Sequence, residues 1–103
     1  MNVQQLMKQA QAMQKNLENA KKQHNEKVFE GVSGGGLVRA SLTGSLSLHK
    51  ISIDPSLLNE EEKETVEDLI IVAVNNAMNT ANNEWNVRTK ELGIPSDIAG
   101  FAG

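Results

Sequence analysis

Asp54-Pro55 divides this chain. Proline has no backbone N–H and disfavours the α region for the residue before it, so a strand arriving here cannot run on into a helix. Leu46 to Ile53 reads as that strand, and Ser56-Leu57-Leu58 leads into a long helical pattern. Leu46 and Leu48 share one side of the pleat, while Ile51 and Ile53 have the opposite parity. The strand therefore carries a bulge near His49-Lys50 or buries both faces in part.

Two further strands precede it. Lys27 to Val32 alternates Val28, Glu30 and Val32 against Phe29 and Gly31, and Leu37 to Thr43 returns with Val38, Ala40 and Leu42 on one face. Ser33-Gly34-Gly35-Gly36 forms the turn between them, and Thr43-Gly44-Ser45 the turn into the third strand. The glycines do not make a phosphate loop, which needs a Gly-Lys-Ser/Thr ending and a helix behind it. Here Leu37-Val38 opens a strand.

A helix is expected from Asn2 to about Lys27, a stretch without Gly or Pro. Val3, Leu6, Ala10, Met13, Leu17 and Ala20 recur at spacings of 3, 4, 3, 4 and 3, a narrow seam of the kind one helix lays along another. His24 and Lys27 take the next two places, so the seam is expected to end near Ala20. Lys8, Lys15 and Lys22 fall on the opposite side, every seventh residue, in a row about 10 Å apart. Such a row ordinarily only solvates a helix, but flexible point charges can also meet a phosphate backbone.

The last helix is expected to start at Asn59, with Glu62 completing the form of a capping box and Glu60 to Glu62 favoured by the helix dipole. That accounts for the acidic run without a metal, for which no His, turn glycine or loop spacing speaks. Val66, Leu69, Ile70, Ala73, Ala77, Ala81 and Trp85 form its core stripe. Ile71, Val72 and Val74 lie off that stripe, so Leu69 to Val74 is apolar all round. Three strands and two helices cannot cover such a segment from both sides, which argues for a homodimer joined through Leu69, Ile70, Ile71, Val72 and Val74. Asn75, Asn79, Asn82 and Asn86 make the polar face. Trp85, at the stripe's edge, is expected to pack between helices rather than stack on a base. Gly93 and Ile94-Pro95 stop the helix.

Composition sets the remaining bounds. The 103 residues suit one domain, 1–95, with 96–103 as a short flexible tail, and three aromatics leave the core to aliphatic side chains. The absence of Cys removes disulfides and thiolate chemistry. No signal peptide or long apolar run is evident, so a cytoplasmic protein without membrane or small-molecule partners is expected. The net charge of −3 is unevenly spread: residues 1–27 hold five Lys against two Glu, and residues 54–68 hold seven acids against Lys63. A polyanion would therefore meet the first half of the chain. Neither His24 nor His49 has a catalytic partner at recognisable spacing and no Ser lies in a nucleophile elbow, so no enzyme, catalytic residue or cofactor is expected.

The order is helix, three antiparallel strands, helix: an α+β fold, α-β-β-β-α. Four blocks carry a resemblance. They are Leu6-Met7-Lys8-Gln9-Ala10-Gln11 through Met13-Gln14; Gly31-x-x-Gly34-x-Gly36-Leu37-Val38; Ile53-Asp54-Pro55-Ser56-Leu57-Leu58; and Glu67-Asp68-Leu69-Ile70 through Ala73-Val74-Asn75-x-Ala77. Together, over about residues 6–77, the chain resembles the YbaB/EbfC family of bacterial nucleoid-associated proteins. The resemblance implies an intertwined homodimer whose first helices project as arms. It further implies binding of double-stranded DNA with low or modest sequence preference at the nucleoid, with effects on its organisation and on gene expression.

Met78 to Asn83 lacks the basic residues that often follow this point in the family, and the tail is clipped. DNA contact is therefore expected from Lys8, Lys15, Lys21 and Lys22, with Arg88 and Lys90 secondary and Lys27, Arg39 and Lys50 lower. The alternative is a dimeric protein–protein interaction module with incidental DNA affinity, favoured by the acidic overall charge and the neutral Asn face.

Overall fold

The computed structural model describes residues 2–94, so Pro95 and the expected tail lie outside the described residues. Helix α1 spans Val3–Glu26, strands β1, β2 and β3 span Val28–Ser33, Val38–Thr43 and Leu48–Ile53, and helix α2 spans Lys63–Glu91. The strands form one antiparallel sheet in the order β1-β2-β3. This is the expected α+β order.

Local chemistry sets each boundary. The Asn2 side chain accepts from the Gln5 N–H at 2.8 Å and starts α1. Asp54 Oδ1 accepts from the Ser56 N–H at 2.9 Å, which opens the short turn Pro55–Leu57 after β3. The Asn59 side chain accepts from the Glu62 N–H at 3.1 Å, but Glu60–Glu62 is a 3-10 turn and α2 proper begins at Lys63. At the far end, the Gly93 N–H donates to the Lys90 carbonyl and the Ile94 N–H to the Thr89 carbonyl, with Gly93 at φ +71°. That glycine stop is the one expected, and it tucks Ile94 into the interior.

The parity conflict in the third strand is resolved by a bulge. Ser41 pairs with Lys50 and Leu42 with Leu48, leaving His49 as the extra residue. Leu48 then shares the sheet face of Leu42, and Ile51 and Ile53 share that of Ala40 and Val38. Leu46 is corrected: it lies in the turn before β3 with φ +64°, so the strand starts two residues later.

Helix α2 crosses β1 and β2 on this face. Ala73, Ala77 and Ala81 are fully buried against Phe29, Val38, Ala40 and Leu42, and their methyls let helix and sheet approach closely. Approach is closest at Gly31, where a Cβ would overlap the Ala73 carbonyl oxygen and the Ala77 nitrogen. Ser33 Oγ donates to the Leu69 carbonyl at 2.6 Å and Asn76 Nδ2 to the Val32 carbonyl at 3.0 Å, fastening α2 to β1. Strand β3 lies beyond the helix, which leaves Leu48 and Ile51 exposed.

Helix α1 runs antiparallel to the end of α2 and then past it. Ala20 and His24 are buried, and Met13 lies near Leu92 and Ile94. The apolar seam thus packs on α2 only from about Met13 to His24. Two expectations change here. The seam does not end at Ala20, because His24 fills its next place. Its first half, Val3, Leu6 and Ala10, is left exposed by the described residues. The result is an elongated molecule, 70 × 19 × 17 Å.

Candidate nucleic-acid interface

The projecting part of α1 carries an unusual charge pattern. From Asn2 to Leu17 there is no acidic residue, and Lys8 and Lys15 stand among five glutamines and two asparagines. Lys8, Lys15 and Lys22 are all exposed and share one face of the helix, opposite the apolar seam. None of the three has a carboxylate within 4.0 Å among the described residues.

Cations on the body are spent differently. Lys27 pairs with Glu84, Arg39 with Glu30 at 2.8 Å, Lys63 with Glu67 at 3.4 Å, and Arg88 with Glu91 at 3.6 Å. These are surface pairs of small energetic worth, yet each leaves its cation partly neutralised. A polyanion meeting this molecule finds its unpaired charge concentrated on α1. Lys90 is exposed on the last turn of α2, outside the α1 row. Lys50 is exposed on β3.

Lys21 stands apart from its neighbour Lys22. It is half-buried, and its ammonium lies 4.7 Å from the centre of the Trp85 ring. That geometry binds the cation to the aromatic face and turns it toward the body. Trp85 itself is 8% exposed, packed at the α1–α2 junction as expected rather than open to a base.

His24 completes this junction. Its ring lies 5.2 Å from those of both Phe29 and Trp85, and the His24 carbonyl sits where a Cβ on Gly44 would be. Burial lowers the His24 pKa below its ordinary 6.5, with Lys21 and Lys27 acting in the same direction and Glu84 opposing them. The neutral imidazole is thereby favoured, and it behaves as a small aromatic filler. The sequence signal for it was its place in the 3-4 seam; the aromatic partners came from other elements.

The residues expected to join two copies divide into two groups. Leu69, Ile70 and Val74 are half-buried against Val38, Ala40, Leu57 and Ala73 of their own chain. Ile71 and Val72 point away, 58% and 46% exposed. Asn75, Asn79, Asn82 and Asn86 are exposed beside them. Among the described residues no cluster of three or more His, Cys, Asp or Glu is placed to hold a metal, and no helix is long and apolar enough to cross a membrane.

The comparisons with known proteins agree with this architecture. A family model described as the YbaB/EbfC DNA-binding family matches residues 1–93. The chain is 42% identical over 111 aligned positions to a nucleoid-associated protein of Psychrobacter sp. (strain PRwf-1), with all of both chains covered. It is 48% identical over 83 residues to a nucleoid-associated protein of Rickettsia rickettsii (strain Sheila Smith), covering 81% of this chain and 78% of that one. Among solved structures, an uncharacterized protein from Helicobacter pylori superposes with a TM-score of 0.71 at 28% identity. That match covers 89% of this chain and 98% of the other.

Proposed function

The chain belongs to the YbaB/EbfC DNA-binding family, and from that premise we propose that it is a nucleoid-associated protein that grips duplex DNA as a homodimer through its α1 arms. The observation that carries the mechanism is the lysine row, Lys8, Lys15 and Lys22, unpaired among the described residues, on the exposed face of a helix that holds no acid before Glu18. Lysine ammonium groups on such a row replace condensed counterions along the phosphate backbone. Binding is then driven largely by counterion release and has little sequence preference. The family is one of DNA-binding rather than catalytic proteins.

The homodimer is supported by what one chain leaves uncovered. Ile71 and Val72 on α2, and Leu48 and Ile51 on β3, are exposed large apolar side chains. A second copy covering these side chains would take their apolar surface out of water, which favours association. Two copies also double the lysine row and set two arms against one duplex. Held along the nucleoid in this way, the protein would shape DNA and alter access of the transcription machinery.

The test is binding to a labelled duplex of about 30 base pairs across a salt series, with mass measured by light scattering. Affinity falling linearly in log salt, from a particle of two chains, is the expected result. A dimer that ignores DNA even at low salt would overturn the proposal. It would favour the second reading, a protein–protein module, which draws on the exposed seam residues Val3 and Leu6.

A further inference from the structure

The lysine row is not alone on its face. Gln4, Lys8, Gln11 and Lys15 follow one another at spacings of 4, 3 and 4, which places all four side chains in one narrow strip of α1. All four are exposed. Elsewhere on the helix, the Gln14 amide donates to Glu18 at 3.5 Å, whereas the Gln4 and Gln11 amides make no hydrogen bond with any described residue.

A strip that alternates point charges with free amides combines two kinds of contact. Lysine serves phosphates, which position but do not specify. A glutamine amide offers a donor and an acceptor side by side, the pattern that fits adenine N7 and N6 in the major groove. An α-helix with its side chains is about 10–12 Å across and the major groove about 12 Å wide. Gln4, Lys8, Gln11 and Lys15 lie on the side of α1 away from the seam that meets α2, so no described residue covers the strip.

We propose that Gln4 and Gln11 are the sequence-reading residues of this protein, each contacting an adenine edge in the major groove while Lys8 and Lys15 hold the flanking phosphates. Seven residues of helix rise about 10.5 Å, which spans roughly three base pairs. The modest sequence preference therefore takes the form of two adenines about three steps apart on the stretch covered by one arm. This rests on the DNA-binding reading above and adds to it the part of the arm that discriminates between sequences.

The experiment is enrichment of bound duplexes from a random pool, run with the full chain and with Gln4→Ala/Gln11→Ala, followed by titration of the enriched and scrambled duplexes. Gln5→Ala, on another face, serves as control, and helix content by circular dichroism checks that each variant folds. The wild type and the control should enrich adenine at two such positions. The double variant should bind scrambled duplex within about twofold of wild type at an unchanged salt slope, and lose about tenfold of preference for each contact removed. Enrichment that survives in the double variant overturns the proposal. So does a wild type that binds every duplex alike, which leaves phosphate binding standing. If the wild type binds no DNA at low salt, the DNA-binding reading itself fails and this one falls with it.

Discussion

The His24 imidazole lies 5.2 Å from the indole of Trp85, ring centre to ring centre, and this contact joins the arm to the body. His24 belongs to α1 and Trp85 to α2. The Phe29 ring of β1 lies at the same separation from the imidazole. Whatever alters His24 alters the root of the arm.

Protonation is one such change. The folded chain holds the His24 pKa below 6.5, so on acidification the unfolded chain takes up its proton first. Stability from this site is complete above pH 6.5 and is lost as pH falls through the lowered folded value. Urea midpoints measured between pH 8 and pH 5 should decline over that window. His24→Leu should flatten the decline. A wild-type midpoint that is level or rises toward acid would refute the assignment.

Gly31 is the second sensitive point, for steric reasons. A Cβ there overlaps the backbone of α2 at Ala73 and Ala77, and a helix backbone cannot move aside as a side-chain tip can. Gly31→Ala should cost roughly 1–3 kcal/mol or more, read as a fall in the urea midpoint. Ser41→Ala, half-exposed on β2, should stay within about 0.5 kcal/mol. Equal behaviour of the two variants would show that α2 does not press on β1 as described.

Charge removal separates paired from unpaired lysines. Lys8→Gln/Lys15→Gln/Lys22→Gln should weaken DNA binding and lower the log-salt slope by about 0.9 per lysine in contact. The same change at Lys27 and Lys63, which pair with Glu84 and Glu67, should move the slope little. Equal losses from both sets would mean that net charge, not the α1 row, governs binding.

Ile71 and Val72 test the assembly. Exposed in one chain, they can accept polar substitution without disturbing its core. Ile71→Asp/Val72→Asp should halve the particle mass in light scattering while circular dichroism remains unchanged. A variant that keeps the mass of two chains would place the interface elsewhere.

Much of the fold was legible before any coordinates. Asp54-Pro55, the Asn59 cap and Gly93 set boundaries through backbone chemistry that acts within a few residues, so local sequence sufficed. The alternation Val38-Ala40-Leu42 and the stripe ending in Ala73, Ala77, Ala81 and Trp85 named the buried faces correctly, because periodicity is a property of one element. The parity conflict left a bulge near His49-Lys50 or a strand buried on both faces, and the pairing decides for the bulge, at His49.

Tertiary structure decided what depends on two elements meeting. Lys21 and Lys22 are neighbours of one chemistry, yet only Lys21 reaches Trp85. His24 continues the seam because β1 and α2 bring aromatic rings to it. Lys27 and Arg39 are likewise paired because Glu84 and Glu30 come to them from other elements. A sequence fixes which residues can share a helix face or a strand face. Which face meets which partner is set by distances between elements far apart in the chain, and here those distances separate the charges tied to the body from those left free on the arm.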